Sequence, residues 1–469
     1  MRVAVIGAGI AGLSAGFQLE QRRHAGTPLE YTVFEASGHA GGVIRTEHVQ
    51  GFVVEAGPDS FLSEKPWAAT LCRYLGLADE LIPSNDYQRK TFILVQGRPV
   101  EIPDGLMFMV PTKLWPMATT RLFSLGAKIM AASELWTKPR EGDRDESVAQ
   151  FVTRHFGREM VDRMADPLLA GVYGGSADKL SVRAVLPRFV EMERKTGSLA
   201  RAMMEARKKM PANSAASLFT TLRGGMQQMT DALAARLAPG ALHLNTPAWS
   251  LRRAGSAEEA KWSVVTDAGD QHFDAVILAV PAYQAADLLG AAAAALADEL
   301  RGVNYNSSIT IALAYDGAAL DAATRARIAG FGFLAPKAEG KKMLACTFVQ
   351  NKFHARAPEG KMLFRCFIGG EAAGENMQLS DDELVAAIRG ELQQVLGPGM
   401  AAEPLFTRVF RWRQAMAQYE VGHLERVARI EALAAQLPGL ALAGNAYHGI
   451  GVPDCVREGQ QAAERVLAR

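Results

Sequence analysis

The sequence predicts an α+β protein: an α/β unit with a parallel sheet, assembled from distant segments, together with a second, mixed sheet and a helical region. Three observations lead there. A short, unbroken β-branched run, Val3–Ile6, passes straight into a glycine-rich turn and an apolar helix, the pattern of a parallel strand buried on both faces. Runs of β-branched and aromatic residues at Ser308–Tyr315, Met343–Val349 and Met362–Ile368 read as strands of another sheet. The chain then returns to α/β texture, with Leu440–Ala443, the loop Gly444–Gly451 and a helix to Leu467.

Composition narrows the function. The 469 residues are 49% hydrophobic and 22% charged, and 51 Lys and Arg stand against 50 Asp and Glu. A net charge of +1 lacks the basic excess of a nucleic-acid binder, so no nucleic-acid partner is expected. Cys72, Cys346, Cys366 and Cys455 are too scattered for a disulfide framework and suit a reducing compartment. The histidines are isolated, so no metal is expected. With no leader-like segment before the first strand and no run of about 18 uncharged apolar residues, a cytoplasmic protein is expected, one free to touch the inner face of the cell membrane.

Along the chain, residues 105–136 carry closely spaced Met, Phe and Trp with Lys and Arg between them and suit helices. Thr137–Ser147 has the composition of an exposed connector, and residues 148–210 read as mostly helical, ending in the basic stretch Arg201–Lys209. The alanine run at 291–297 is most simply a helix.

The chemistry begins at Gly7-Ala8-Gly9-Ile10-Ala11-Gly12. After a strand, Gly7 makes the tight turn, Gly9 admits backbone close to a pyrophosphate, and Gly12 lets the helix pack on the strand. The helix N-terminus offers free N–H groups to phosphate. A second strand, Tyr31–Phe34, ends in Glu35, 23 residues past Gly12, where a carboxylate accepts from a ribose 2′-hydroxyl and repels a 2′-phosphate. NADP is therefore disfavoured, while NAD and FAD stay open.

The following residues resemble a flavin site. Gly41-Gly42-Val43-Ile44-Arg45-Thr46 and Phe52-Val53-Val54-Glu55-Ala56-Gly57-Pro58 are similar to the flavin-binding stretch of the amine-oxidase-like flavoproteins. There the double glycine passes close to the cofactor and the arginine meets its pyrophosphate. Gly449-Ile450-Gly451-Val452-Pro453-Asp454 opens the last helix, with Pro453 in the first turn. Glycines there let backbone lie against a flat ring, and the helix dipole favours negative charge on reduced flavin.

Over essentially its whole length the chain resembles the protoporphyrinogen oxidase and coproporphyrinogen III oxidase family of those flavoproteins. The segments that carry the resemblance are VAVIGAGIAGLSAG (3–16), GGVIRTEHVQGFVVEAGPDSF (41–61), DPLLAGVYGGSADKLSVRAVLP (166–187), LRGGMQQMTDAL (222–233), DAVILAVPA (274–282) and LAGNAYHGIGVPDCVREGQQAAERVL (442–467). It implies one non-covalent FAD per chain, held by Gly7, Ala8, Gly9, Ile10, Ala11, Gly12, Glu35, Gly42, Val43 and Arg45. Gly57, Pro58, Asp59, Ser60, Ala248, Trp412, Ile450, Gly451 and Val452 complete the implied set. It also implies three domains: a discontinuous, Rossmann-like FAD-binding domain (1–85, 211–285 and 408–469), a substrate domain (86–97 and 286–407) and a helical domain (98–210).

The implied reaction oxidises a porphyrinogen to the porphyrin in three two-electron steps, protoporphyrinogen IX to protoporphyrin IX, with O2 as acceptor and hydrogen peroxide as by-product, in haem synthesis. Coproporphyrinogen III is the alternative substrate, and another amine-oxidase-like FAD oxidase the further one. Asp166 and Gly171 are candidates for lining the reacting face, with the Gly171 carbonyl orienting the macrocycle. One departure bears on substrate choice: where plant and animal enzymes hold a substrate propionate with arginine, this chain has Thr91, with Arg89 and Lys90 as neighbours. Two further partners stay open: a second copy of the chain, and an anionic membrane surface. The membrane would be met through Met107, Phe108, Met109, Trp115, Met117 and Phe123 among Lys113, Arg121 and Lys128, with Arg201, Arg207, Lys208 and Lys209 beyond.

Overall fold

The strand Arg2–Ile6 lies at the centre of a five-stranded parallel sheet, between Glu30–Phe34 and Ala275–Leu278, with Leu242–His243 and Leu440–Leu442 at the edges. Both neighbours run in continuous register, Val3 opposite Tyr31 on one side and Ala275 on the other. Val3, Ala4 and Val5 have no exposed surface, which is why the sequence there shows no polar alternation. This is a computed structural model of the chain, and it describes residues 1–140, 142, 144–209, 217–254 and 261–468.

The chain divides into two compact units. The first comprises Met1–Ser84, Leu218–Asn304 and Glu425–Arg469, and the second Asn85–Ser217 and Tyr305–Leu424. In the first unit the helices Ile10–His24 and Val452–Leu467 pack on the parallel sheet around Leu13, Phe17, Ala462, Ala463 and Val466. Gly459 is what allows the two helices to approach, because a Cβ there would lie 2.0 Å from the Ala11 carbonyl oxygen. The unit also holds an antiparallel meander, Ala248–Ala254, Lys261–Thr266 and Gly269–Phe273, a hairpin, Thr46–Val49 with Phe52–Glu55, and a small sheet in which Phe219–Leu222 lies between Phe61–Leu62 and Leu81–Pro83.

The second unit is built on a seven-stranded mixed sheet in the order Phe406–Ala417, Tyr305–Asp316, Lys361–Ile368, Ala345–Phe348, Gly332–Leu334, Thr91–Val95 and Arg98–Glu101. Helix Asp381–Leu396 contributes Leu384, Ile388, Leu392 and Leu396 to its core at i, i+4 spacing. The helices between 114 and 209 gather around Phe151, Val152, Phe156 and Met164.

The division differs from the three domains drawn from the sequence. Residues 286–304 fall in the first unit, where Glu299 is clamped by Arg426 and Arg429 at 2.7–3.1 Å. Residues 408–424 fall in the second unit, because the strand Phe406–Ala417 pairs with Tyr305–Ala314. Residues 105–136, expected as helices, begin instead with a small hairpin, Leu106–Met107 with Val110–Pro111, whose turn places Phe108 at φ 56°. Helices Leu114–Thr119 and Leu125–Ser133 follow. The alanine run starts as a 3-10 turn, Gly290–Ala293, before the helix Ala294–Arg301.

Candidate functional site

The two glycine loops of the first unit lie side by side. Gly41 donates its N–H to the Ala8 carbonyl at 2.8 Å, and Gly9 and Gly41 form a parallel bridge. Gly42, at φ 60°, is so placed that a Cβ would come 3.3 Å from the Gly9 Cα. Gly7 (φ 99°) and Gly12 are closed in, a Gly12 Cβ falling 1.8 Å from the Gly7 carbonyl oxygen, whereas a Cβ on Gly9 would meet nothing within 4 Å. The loop is thus sealed by Gly7 and Gly12 and open at Gly9, which is the cradle a pyrophosphate needs. Helix Ile10–His24 has no side-chain cap and no acidic residue in its first turn, which leaves the positive end of its dipole for an anion.

Glu35 closes one end of this cradle. Its Oε2 accepts the Ala8 N–H at 2.7 Å, and its Oε1 accepts the Ser37 N–H at 2.9 Å and the Ser37 hydroxyl at 2.7 Å. A carboxylate offers about four acceptor sites, so capacity for a ribose hydroxyl remains. Beside it, Thr246 donates its N–H to the Glu35 carbonyl and Asn245 to that of Ser37; this brings Ala248, two residues on, to the same end. Val43 and Arg45 are exposed, and Arg45 pairs with Glu47 at 3.1 Å. Gly57 is required by contact: a Cβ would lie 1.8 Å from the Val43 carbonyl oxygen. Pro58, Asp59 and Ser60 are half-buried, and Thr221 holds the Asp59 carbonyl at 2.8 Å.

At the other end of the chain, Gly451 caps the helix Val452–Leu467 without a side-chain bond, and Ile450 is half-buried. The packing of this helix on Ile10–His24 therefore brings residues 450–452 into the unit that carries both glycine loops. Cys455, next in the helix, is buried, and burial pushes its thiol up to about 12, with Asp454 and Glu458 adding to the effect. A neutral, enclosed thiol is a poor nucleophile.

Three predicted residues lie in the second unit. Trp412 stands in the strand Phe406–Ala417 opposite Ser308, half-buried. Asp166 begins the helix Asp166–Tyr173, after a single π-helical turn, Val161–Ala165. Its carboxylate is buried and committed: it accepts the Ala177 N–H at 2.8 Å and pairs with Lys337 at 3.2 Å. Gly171 is exposed, with open space where a Cβ would be. The turn after it is tied down by Gln418, which donates to the Tyr173 carbonyl, and by Asn306, which donates to that of Gly174, both at 2.7 Å. Thr91 starts an inner strand of the sheet, Lys90 pairs with Glu101 at 3.1 Å, and Arg89 is exposed.

Among the described residues no group of three or more His, Cys, Asp or Glu could hold a metal ion, and no helix is long and apolar enough to cross a membrane. The aromatic stretch splits in two. Met109, Met117 and Phe123 belong to the helical core, while Met107, Phe108 and Trp115 are exposed, Trp115 at 78%. Leu125 and Ile129, on one face of helix Leu125–Ser133, and Trp136 beyond it are exposed as well. The sequence reading passed over these three, although Leu125 and Ile129 are four residues apart and so share a helix face. Arg201, Arg207 and Lys208 lie in the helix Leu199–Lys209, and the Lys209 side chain is outside the described residues. Gly459 was also overlooked, although it could have been suspected from the cost of glycine inside an amphipathic helix.

A parallel sheet with an open glycine cradle, a ribose-type carboxylate and a second glycine loop defines a dinucleotide-binding protein. The chain matches the model of the flavin containing amine oxidoreductases over residues 10–467 and belongs to that family. It is an FAD-dependent oxidoreductase. It is 33% identical over 476 residues to the coproporphyrinogen III oxidase of Bacillus subtilis (strain 168), covering 99% of this chain and 97% of that one. With protoporphyrinogen oxidase 2, chloroplastic/mitochondrial, of Arabidopsis thaliana it shares 28% identity over 497 residues, 100% of this chain and 94% of the other. A crystal structure from Exiguobacterium sp. 255-15, provisionally named a protoporphyrinogen oxidase, superposes with a TM-score of 0.87 at 29% identity, covering 100% and 99% of the two chains.

Proposed function

We propose that the chain oxidises a porphyrinogen macrocycle to the porphyrin in haem synthesis, by three two-electron steps with O2 as final acceptor. What carries the reading is full-length similarity to porphyrinogen oxidases of both kinds, joined to a cradle that fits FAD. Bound there, FAD supplies a two-electron acceptor, so the chain itself needs no acid–base triad. Its task is to hold and to orient. Gly7 to Gly12 and Glu35 would hold the pyrophosphate and ribose, and residues 41–45, 57–60, Ala248 and Ile450–Val452 would hold the rest of the same cofactor. Gly171, an exposed residue, orients the macrocycle through its carbonyl. Asp166 acts behind it, fixing the turn at 174–177 through Ala177 and Lys337.

Protoporphyrinogen IX is one proposed substrate, supported by the 28% identity to the Arabidopsis thaliana enzyme. Coproporphyrinogen III is the alternative, and the higher identity, 33%, to the Bacillus subtilis enzyme supports it more strongly. The exposed Trp115, Leu125, Ile129 and Trp136, near Lys113, Lys128 and Arg121 in sequence, support contact with an anionic membrane surface from the cytoplasmic side. Aerobic turnover tests the reaction: three peroxides should appear per porphyrin formed from the true substrate. A porphyrin signal without peroxide would remove O2 from the scheme, and no porphyrin from either macrocycle would remove the reaction.

A further inference from the structure

Lys65 is the N-cap of the helix Pro66–Tyr74, yet its charge is spent on the other end of the chain. Its Nζ lies 2.6 Å from Oδ2 of Asp454, in the first turn of helix Val452–Leu467. The Asp454 side chain is 3% exposed. It is wedged beneath the loop that opens this helix: a Cβ on Gly449 would come 2.4 Å from its Cγ, and one on Gly451 3.1 Å from its Oδ2. Arg457, one turn on, lies 3.8 Å from the same carboxylate and donates to the His448 carbonyl at 2.7 Å, while its guanidinium stands 4.6 Å from the centre of the Trp67 ring. Glu458, also buried, accepts from Arg457 at 3.4 Å. Two cations and two carboxylates thus cluster under residues 448–451.

A carboxylate in the first turn cancels the positive end of a helix dipole. At this helix that would oppose the negative charge a reduced flavin acquires. A buried carboxylate is also costly unless paired. We propose that Lys65 is a positioning residue for the flavin: by neutralising Asp454 it keeps the field at the loop 449–452 positive and holds the loop in place. The proposal rests on the assignment of residues 450–452 to the cofactor.

The test compares Lys65→Met, Lys65→Arg, Asp454→Asn and the double variant Lys65→Met/Asp454→Asn as reconstituted holoproteins, with Ile450→Glu as an independent probe of the loop. Lys65→Met should lower the flavin midpoint potential and weaken FAD binding roughly tenfold, a figure kept modest because Lys65 is partly solvated. Lys65→Arg should retain both values. The double variant, with no charge left unpaired, should recover most of the potential. If Lys65→Met lowers the melting temperature alone, while Ile450→Glu moves the potential, the loop assignment stands and the role of Lys65 is refuted. If Ile450→Glu also leaves potential and affinity unchanged in a folded protein, the loop is not at the flavin, and the assignment falls together with the proposal.

Discussion

Replacing Glu35 by alanine should separate the cofactor cradle from the chemistry. The carboxylate receives three hydrogen bonds within the chain, at 2.7 Å from the Ala8 N–H and at 2.9 and 2.7 Å from Ser37. Ser37 is half-buried and can turn to water, but Ala8 is fully buried, so its N–H loses its acceptor. A hydrogen bond to a charged group is worth about 1.5–3 kcal/mol, and the ribose contact should contribute a similar amount. The Ala8 share appears in the apoprotein as a lowered melting temperature. The ribose share appears only in FAD affinity, as a loss of about ten- to a hundredfold at 1.4 kcal/mol per factor of ten. Glu35→Gln keeps an oxygen acceptor and should lose less of both. Titration of apoprotein with FAD by flavin fluorescence gives the affinity, and turnover at saturating FAD gives the chemistry. An unchanged dissociation constant, or turnover at saturation falling as far as the affinity, would refute the assignment.

Other perturbations have equally defined outcomes. Gly459→Ala drives a Cβ to within 2.0 Å of the Ala11 carbonyl and should lower stability by about 1–3 kcal/mol, as overpacking does; denaturant melts of the apoprotein would show it. Burial alone would lower the pKa of His155, but hydrogen bonds to Glu134 and Glu193 at 3.0 and 3.2 Å outweigh it and hold the imidazole above its usual 6.5. Stability from that charge is complete below 6.5 and lost as pH rises through the raised value, so the alkaline fall in melting temperature should shrink in His155→Gln. Burial pushes the Glu193 carboxyl up, but His155 and Arg154 override this and bring it down to about 2. Its contribution is present above the ordinary 4.5 and should fade as pH falls toward 2, a loss that Glu193→Gln should remove. Co-sedimentation with anionic vesicles should weaken with salt and with Trp115→Ala or Leu125→Ala; no sedimentation at low salt would refute membrane contact. Acid precipitation should release all the flavin, since the Cys455 thiol is enclosed and neutral, and protein-bound yellow colour in the pellet would contradict this.

Local pattern decided what could be read in the sequence. The first strand, the glycine turn and Glu35 are contiguous or lie at a fixed spacing, and the structure brings Gly7–Gly12, Glu35, Gly41–Gly42 and Gly57 together in one unit. The α+β class was legible for the same reason, whereas the choice of FAD over NAD rested on the resemblance of residues 41–58 and 449–454 to the flavin site of a known family. Properties set by partners far along the chain were not. Lys65 and Asp454 are 389 residues apart, and neither has a neighbour that announces the other. Gly459 is explained only by the carbonyl it faces. The aromatic stretch at 105–136 could not be sorted into core and surface, because Phe108 sits in a hairpin turn that breaks the helical period. The strand Phe406–Ala417 binds to Tyr305–Ala314 through backbone pairing, which side-chain pattern records poorly, so Trp412 was grouped with the last third of the chain.

Mixing the FAD-loaded protein anaerobically with protoporphyrinogen IX and, in parallel, coproporphyrinogen III tests the central claim most directly. The account predicts that at least one of them bleaches the flavin absorption in step with the appearance of porphyrin, and that admitting O2 restores the oxidised spectrum. A flavin that stays oxidised with both, in a protein reducible by dithionite, would contradict it.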